Sequence, residues 1–353
     1  MIYSVFVKHI ASGDLFELPF LSVNAVAELN NGATGTYQFD FMTIKEDVAD
    51  KYGILVKDIF TSVLSEIWVQ DEDGNILEDT FGIIADYQRT KDADANFTLT
   101  IAMTSYFSLL QKRRTGANDV FSGIDPASIP WSLINASQTS GIAGADLGIT
   151  EGSTDTTGLS VSVTYNRSDI KQAISDLSNL RVAGSFDFDI DVTKNFNVYA
   201  PTKGSVRANV VFDANTTLAN SVDIPLVLTL TNRAIVRGQG INTDVAESVR
   251  IASDPTIEEY TLLEDVVTDT QQSDTTVLAA EGDKFLDLNK LPLTYITLKH
   301  GDDIDVGSYG LGDTVVVDIP EEGISYSQFR VKKRTLDIDK TSTIIATLDL
   351  LTI

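Results

Sequence analysis

From Ile67 to Arg114 the chain reads as strand, turn, strand, polar turn, strand and short helix, and that succession narrows the folds open to it. Phe97, Leu99, Ile101 and Met103 alternate with Thr98, Thr100 and Ala102. A period of two puts one set on the buried face of a sheet and the other towards solvent. Ahead of that strand, Ile67–Val69 runs into the acidic turn Asp71-Glu72-Asp73-Gly74-Asn75, whose glycine can take a positive φ. Ile76–Ala85 is expected to be extended, and Lys91–Asn96 to form a second polar turn. Behind it, Tyr106, Phe107, Leu109 and Leu110 crowd before the basic knot Lys112-Arg113-Arg114. No catalytic pattern is visible in the stretch, which reads as scaffold.

The flanking sequence extends the β-rich pattern. A strand is expected at Tyr3–Lys8, a turn at Ser12-Gly13-Asp14 and another at Asn30-Asn31-Gly32. Thr36–Thr43 follows, with Tyr37, Phe39 and Phe41 alternating; Ile54–Phe60 fits helix or strand. Residues 112–165 change character towards Gly, Ser, Thr, Asp and Ala. Trp131–Ser137 reads as a short helix behind Pro130. Gly141–Gly158 is loop-like, although Leu147–Thr150 could be extended, and Leu159–Tyr165 alternates. Arg167–Leu180 is the clearest helix: Ser168 is placed to cap it, Asp169 suits its positive end, and Ile170, Ala173, Ile174, Leu177 and Leu180 share one stripe.

Beyond Gly184, Phe186, Phe188, Ile190 and Val192 alternate with Asp187, Asp189 and Asp191. Lys194-Asn195 turns the chain, and Phe196 to Pro201 returns as a hairpin. Further strands are expected at Ala208–Phe212, Leu226–Leu230 and Ala234–Gly238, then a helix at Thr275–Leu291 stopped by Pro292. Strands at Leu293–Lys299, Gly312–Ile319, Phe329–Leu336 and Ile344–Leu350 close the chain. The fold class is therefore mainly β with an α+β insert, in three parts: residues 1–111, 112–205 and 206–353, the last with a helix at about 275–291. No short-period repeat is present.

Charge and cysteine content exclude several functions. Lys plus Arg number 26 against 51 Asp plus Glu, a formal charge of −25. Such a field repels nucleic acid and anionic membranes. The absence of Cys excludes disulfides, thiol catalysis and cysteine-ligated zinc. The N-terminus alternates like a strand, lacks the plan of a signal peptide, and no apolar run reaches the roughly 20 residues of a membrane span. A soluble product made in the cytoplasm, with no stable membrane insertion, is the expectation.

The candidate sites are weak. Three carboxylates at every second position of a straight strand are spread roughly 7 Å apart along one face, whereas calcium needs oxygens converging from a bent loop. A solvated face is the better reading of Asp187, Asp189 and Asp191. The turn Asp71–Asn75 lacks the spaced ligands of an EF-hand. His9 and His300 lie in opposite halves without a local catalytic frame, and His300 sits in what looks like a surface turn. Gly238-Gln239-Gly240 lacks the third glycine of a dinucleotide loop. Lys112–Arg114 fits either an acidic partner subunit or the negative end of its own helix. Trp131 and the strand aromatics read as core. No catalytic, cofactor-binding or metal residue is assigned, no cofactor is expected, and the chain is not expected to be an enzyme.

Taken in order, these segments resemble the tail hub (baseplate hub) proteins of long-tailed phages, the family with the gp27-like fold, also found in prophage tails and contractile injection systems. Three segments carry the resemblance. The first is Gly82-Ile83-Ile84-Ala85-Asp86 with Phe97–Ile101 and then Tyr106–Arg113. The second is Asp169–Pro201, with its helix, Phe186-Asp187-Phe188-Asp189-Ile190-Asp191 and the return ending Tyr199-Ala200-Pro201. The third is Thr231–Gly238, the helix before Pro292, Gly312-Asp313-Thr314-Val315, Phe329-Arg330-Val331 and Ile344–Leu350. Residues 112–165 match least.

The resemblance implies two tube domains of β-barrel or sandwich type, 1–111 and 206–353, with 112–205 as a helix-and-hairpin decoration. It implies a structural virion protein at the tail tip or baseplate, assembled in the host cytoplasm. Such a protein is a homotrimer that adapts the hexameric distal tail protein ring to a threefold tip. The tape measure protein and tail fibre or receptor-binding tip proteins would be its other partners. Its carboxylate-lined lumen would let DNA pass without specific binding. A secreted or surface β-rich adhesin holding carbohydrate is the alternative, and a carboxylate-dependent hydrolase the third reading.

Overall fold

The computed structural model describes residues 2–10, 12–61, 64–91, 96–179, 186–213, 221–224, 226–227, 230–240, 245–252, 261–268, 275–290, 293–301 and 303–352. The first part contributes β1 (Tyr3–Lys8), β2 (Leu15–Leu18), β3 (Ser22–Glu28), β4 (Gly32–Asp40), β5 (Glu66–Asp71), β6 (Gly82–Lys91) and β7 (Phe97–Thr104). The middle part adds β8 (Asp119–Ile124), β9 (Thr150–Thr154), β10 (Val161–Tyr165), β11 (Asp187–Ile190) and β12 (Asn195–Tyr199). The last part adds β13 (Val206–Asp213), β14 (Ser221–Asp223), β15 (Leu226–Val227), β16 (Arg233–Arg237), β17 (Glu247–Ile251) and β18 (Glu264–Thr268). It ends with β19 (Leu293–His300), β20 (Thr314–Ile319), β21 (Ile324–Asp339) and β22 (Ile344–Thr352). The protein is mainly β.

Strands from both ends of the chain join one 14-stranded sheet, ordered β14-β19-β22-β21-β3-β4-β7-β6-β5-β1-β2 with β13, β15 and β20 alongside. The seam is the antiparallel pairing of β21 with β3, from Lys333 opposite Glu28 to Asp339 opposite Ser22. Alternation drives it: Val23, Ala25 and Ala27 on β3, and Leu336 and Ile338 on β21, are buried. Leu336, Ile338, Ile344 and Ala346 share one core with Val5, Tyr37, Phe39 and Phe60. A second core gathers Val210, Phe212, Leu298, Val315 and Val331. Among the described strands the path is open, ending on β2 and β14, and no closed barrel forms.

The middle part packs against one side of β5 and β6. Its helices Ile129–Gln138 and Ile170–Ser178, with the hairpin β11–β12, bury Leu133, Ile174, Phe188 and Phe196 in one core with Trp68, Phe81, Tyr106 and Phe107. Within the last part, β17-β16-β18 form a separate sheet whose one face is covered by the helix Thr275–Asn289.

Several local expectations are corrected. Phe41 leaves the strand and starts a helix, because the Asp40 carboxylate accepts from the Thr43 N–H at 2.7 Å. Ile54–Phe60 resolves as the helix Val56–Phe60. The extended reading of Ile76–Ala85 is broken by a 3-10 turn at Glu78–Thr80. Lys91 ends β6 rather than starting a turn; 92–95 lie outside the described residues. Asp169, not Ser168, caps the helix Ile170–Ser178, accepting from the Gln172 N–H at 3.1 Å; the Ser168 N–H is donated to the Thr115 hydroxyl. The loop expected at Gly141–Gly158 contains β9, and β2, β3 and β8 were not anticipated. Leu180, Gly184, Leu228, Thr229, Leu291 and Pro292 lie outside the described residues.

One turn device recurs at three hairpins: Asp71 to Asn75, Asp191 to Asn195 and Asp339 to Thr343. In each, the aspartate accepts from backbone N–H groups two and four residues on, at 2.9 and 2.8 Å, 2.8 and 3.0 Å, and 2.8 and 3.1 Å respectively. The fourth residue is left-handed: Gly74 at φ 90, Lys194 at 66 and Ser342 at 64. All three carboxyls are held below the usual range. The Asn75 amide does most at Asp71, and the Thr341 hydroxyl at Asp339. At Asp191 burial pushes upward but is outweighed by donors from Thr193, Asn195 and Asn197. A depressed folded pKa contributes stability that is present above the unfolded value near 3.9 and lost as pH falls through the folded value. A triple Asp→Asn variant is expected to melt lower at pH 6 and to lose less on going to pH 3. Parallel melting curves across that range would refute the assignment.

Candidate functional site

The polar groups concentrate where the three parts of the chain meet, on the hairpin β11–β12. Phe186, Phe188, Phe196 and Val198 point into the middle core, so alternation turns Asp187 and Asp189 the other way, towards the sheet seam. There Asp187 meets partners rather than water, and Asp189 is half-buried. Asp187 is 5% exposed. It accepts from Asn30 Nδ2 at 2.8 Å, from the Lys203 N–H at 2.7 Å, and from the Arg330 guanidinium, with which it forms an ion pair. Asn30 also accepts from the Phe188 N–H at 2.9 Å. Asp189 holds Lys203 Nζ at 2.6 Å and accepts from Asn197 at 3.0 Å and from the Tyr199 hydroxyl at 3.2 Å. The solvated-face expectation is therefore corrected: Asp187 fastens the hairpin to a turn of the first part and a strand of the last, and Asp189 ties it to Lys203 just beyond it.

Two further contacts complete the junction. Gly204 (φ +95) lies back to back with Gly312 (φ +87); a Cβ on Gly204 would come within 2.3 Å of the Gly312 carbonyl. Beside them Asp313 accepts from the Ser205 N–H at 2.7 Å and pairs with Arg207 at 2.8 Å. On the other side of the hairpin, Glu66 on β5 is 4% exposed, pairs with Lys194 at 2.9 Å and accepts from the Tyr106 hydroxyl at 2.6 Å.

Arg334 crosses the seam itself. Its side chain is 7% exposed and pairs with Asp79, which is 6% exposed. Its Nη1 donates to the carbonyls of Val306 and Tyr309, both at 2.7 Å. A bulge between Val331 and Lys333 brings this about. Before it Phe329 and Val331 face the core; after it Arg334, Leu336 and Ile338 do. Burial acts to lower the guanidinium's pKa, but Asp79 outweighs it and the arginine stays charged.

The other candidates fall into structural roles. Arg113 donates to the Ala145 carbonyl at 2.8 Å, and Arg114 pairs with Asp169 at 2.9 Å. Arg114 also donates to the Gln111 carbonyl at the end of its own helix at 3.4 Å, which fits the helix-end reading of the knot. His9 closes the β1–β2 turn on the Ser12 hydroxyl at 2.7 Å. His300, expected on the surface, is fully buried, with one ring nitrogen on the Gly301 carbonyl at 2.8 Å and the other on the Tyr309 hydroxyl. Gly238 and Gln239 bond Ala246 across the β16–β17 connection, at 2.7 and 3.0 Å. Trp131 is half-buried against the middle core. Among the described residues no group of three His, Cys, Asp or Glu could hold a metal.

A cleft of about 80 Å³ opens at the junction, with Glu78, Asp189, Lys203, Phe81, Phe107 and Phe188 on its walls. A small-molecule site needs roughly 300–1,000 Å³. Chemically the site positions parts; it has no nucleophile held against a base.

No protein-family model matches the chain, and no curated protein matches it in sequence. Solved structures do match in fold. The tail protein of Neisseria meningitidis MC58 superposes with a TM-score of 0.68 at 13% identity, over 99% of this chain and 97% of that one. The 43 kDa tail protein of prophage MuSo2 from Shewanella oneidensis gives 0.71 at 9% identity, over 99% and 98%. The chain has the fold of phage tail proteins. An E. coli type VI secretion component, described as structurally similar to the T4 bacteriophage tail proteins gp27 and gp5, matches this tail-protein fold at 0.52 and 8% identity, over 95% of this chain and 74% of its own. The gp27-like resemblance read from residue order is thus shown in the fold.

Proposed function

We propose that the protein is a structural hub at the distal end of a phage tail, a homotrimer whose chains each supply two tube domains, 1–111 and 206–353, around a central channel. The observation that supports this best is mutual coverage: the match takes in 99% of this chain and 97–98% of two tail proteins, one of them from a prophage. The junction fits the role. A tube wall under load needs its two tube units and its decoration held in one register, and buried ion pairs specify register where apolar contacts alone allow slippage. Residues 112–205 are the decoration, and the distal tail ring, tape measure protein and tip proteins are the partners in this reading. The location is the virion tail.

Mass photometry and negative-stain imaging of the purified protein, alone and with neighbouring tail proteins, test it. Threefold rings with a central hole at three times the 38.4 kDa chain mass are expected. A monomer in every mixture would overturn the hub reading and favour the carbohydrate-binding adhesin. The net charge of −25 gives the channel a use, because carboxylates facing it keep DNA from sticking. Reversing several of them to lysine is expected to slow genome release with assembly intact; unchanged release kinetics would sink that part.

A further inference from the structure

The small sheet β17-β16-β18 has two faces, and among the described residues only one is covered. Register assigns them: Ala234 lies beside Arg250 and Asp265, and Ile235 beside Val249 and Val266. On the first face Ala234 and Val236 are fully buried, and Leu278, Phe285 and Leu286 of the helix Thr275–Asn289 are buried with them. The helix lies close. A Cβ on Gly282 would come within 2.5 Å of Arg250 Cγ and 2.9 Å of a Val236 methyl, and Arg250 pairs with Asp283 at 2.6 Å.

The opposite face carries an apolar row across all three strands, Ile235, Val249 and Val266, extended by Ile251 and Leu262. Four of these five are open to water: Val249 at 40%, Ile251 at 57%, Val266 at 52% and Leu262 at 49%. Among the described residues the charges on this face cancel. Arg233 pairs with Glu264 and Arg237 with Glu247, one pair on either side of the row. A sheet that leaves such a row in water forgoes the burial that makes a strand pair stable.

We infer that this bare face is a contact surface for a second copy of this chain. The inference rests on the trimeric reading above. Charge selects the occupant. Every copy carries −25, so two copies repel over most of their surfaces. They can approach without burying uncompensated carboxylates only where the local charge is balanced, as it is here. Size points the same way. Three strands of five residues cover on the order of 250 Å², well short of the roughly 800 Å² per partner of a stable interface. The face cannot hold a partner by itself. It serves as one patch of a larger contact, which a ring of identical chains provides.

The chain has no cysteine, so a single introduced one reports its own surroundings. The experiment is maleimide labelling of Val249→Cys, with Tyr52→Cys, on an unrelated exposed helix, as control. It is run on the trimer and on the same protein diluted to monomer. Labelling at Val249→Cys is expected to slow by about tenfold or more in the trimer, and at Tyr52→Cys to stay unchanged. In parallel, Val249→Glu/Val266→Glu is expected to keep its far-UV spectrum and to lose the trimer. Equal labelling in both states would overturn the inference while leaving the hub reading intact. A wild-type protein that never trimerises would overturn both. Protection that arises only when another tail protein is added would assign the face to that protein and overturn the second-copy occupant. If the double variant fails to fold, the labelling rates still decide.

Discussion

Replacing Arg334 with methionine is expected to destabilise the folded protein by about 3–5 kcal/mol, the range for removing one partner of a buried ion pair. The size follows from what is left behind. Asp79, 6% exposed, would lose its counter-ion. The carbonyls of Val306 and Tyr309 would lose donors now at 2.7 Å. Methionine fills similar volume, so the loss reports charge and hydrogen bonding more than a cavity. Chemical denaturation gives the number directly. The companion Arg334→Met/Asp79→Leu removes both charges and is expected to recover most of the loss, since a buried pair is worth little against well-packed apolar residues. If the single variant loses less than about 1 kcal/mol, the pair is behaving like a solvated surface bridge and the seam is held by the alternating apolar residues alone.

That pair also shows how far the sequence could be read. The strand Phe97–Thr104 was legible because period-two alternation with three of four large apolar residues buried allows no other placement. The helix Ile170–Ser178 was legible from its stripe, though not its cap: Ser168 and Asp169 are both cap formers, and it is Asp169 that accepts from the Gln172 N–H. The site was not legible. Asp187, Asp189 and Asp191 carry the pattern of a wetted strand face, and what covers that face, Asn30, Lys203 and Arg330, comes from positions up to 157 residues away in sequence. One signal was present. An arginine in phase with Leu336 and Ile338 on an alternating strand marks a buried cation, but the bulge at Lys332 resets the phase, so Arg334 reads as outward-facing when counted from Phe329 and Val331. The seam of β3 with β21 was out of reach for a related reason: alternation specifies that a strand has a buried face, and leaves its neighbour to tertiary packing.

Asp187→Ala is expected to loosen the middle part from the sheet without unfolding either core. The carboxylate ties all three parts together: it touches Asn30 from the first, Lys203 from the link that follows the hairpin, and Arg330 from the last. Alanine removes those acceptors and leaves Arg330 with its bonds to the Lys203 carbonyl at 2.9 Å and the Gly312 carbonyl at 3.1 Å. Arg330 is 16% exposed, so water can reach part of the freed guanidinium. The cost is therefore expected at about 2–4 kcal/mol, somewhat below the range for a fully buried pair. Asp187→Asn keeps one oxygen, which serves either Asn30 or the Lys203 N–H because the two donate to different carboxylate oxygens, and sets an NH2 against the other donor; with the charge gone as well, it is expected to lose nearly as much as alanine. Hydrogen exchange separates the junction from a general loss of stability. The Phe188 N–H, held by Asn30, should exchange faster along with β11 and β12, while β7 and β4 keep their protection because their cores are untouched. Uniform acceleration across β4, β7 and β11 would mean that Asp187 supports the whole fold, and that the middle part is not an outer body fastened at this junction.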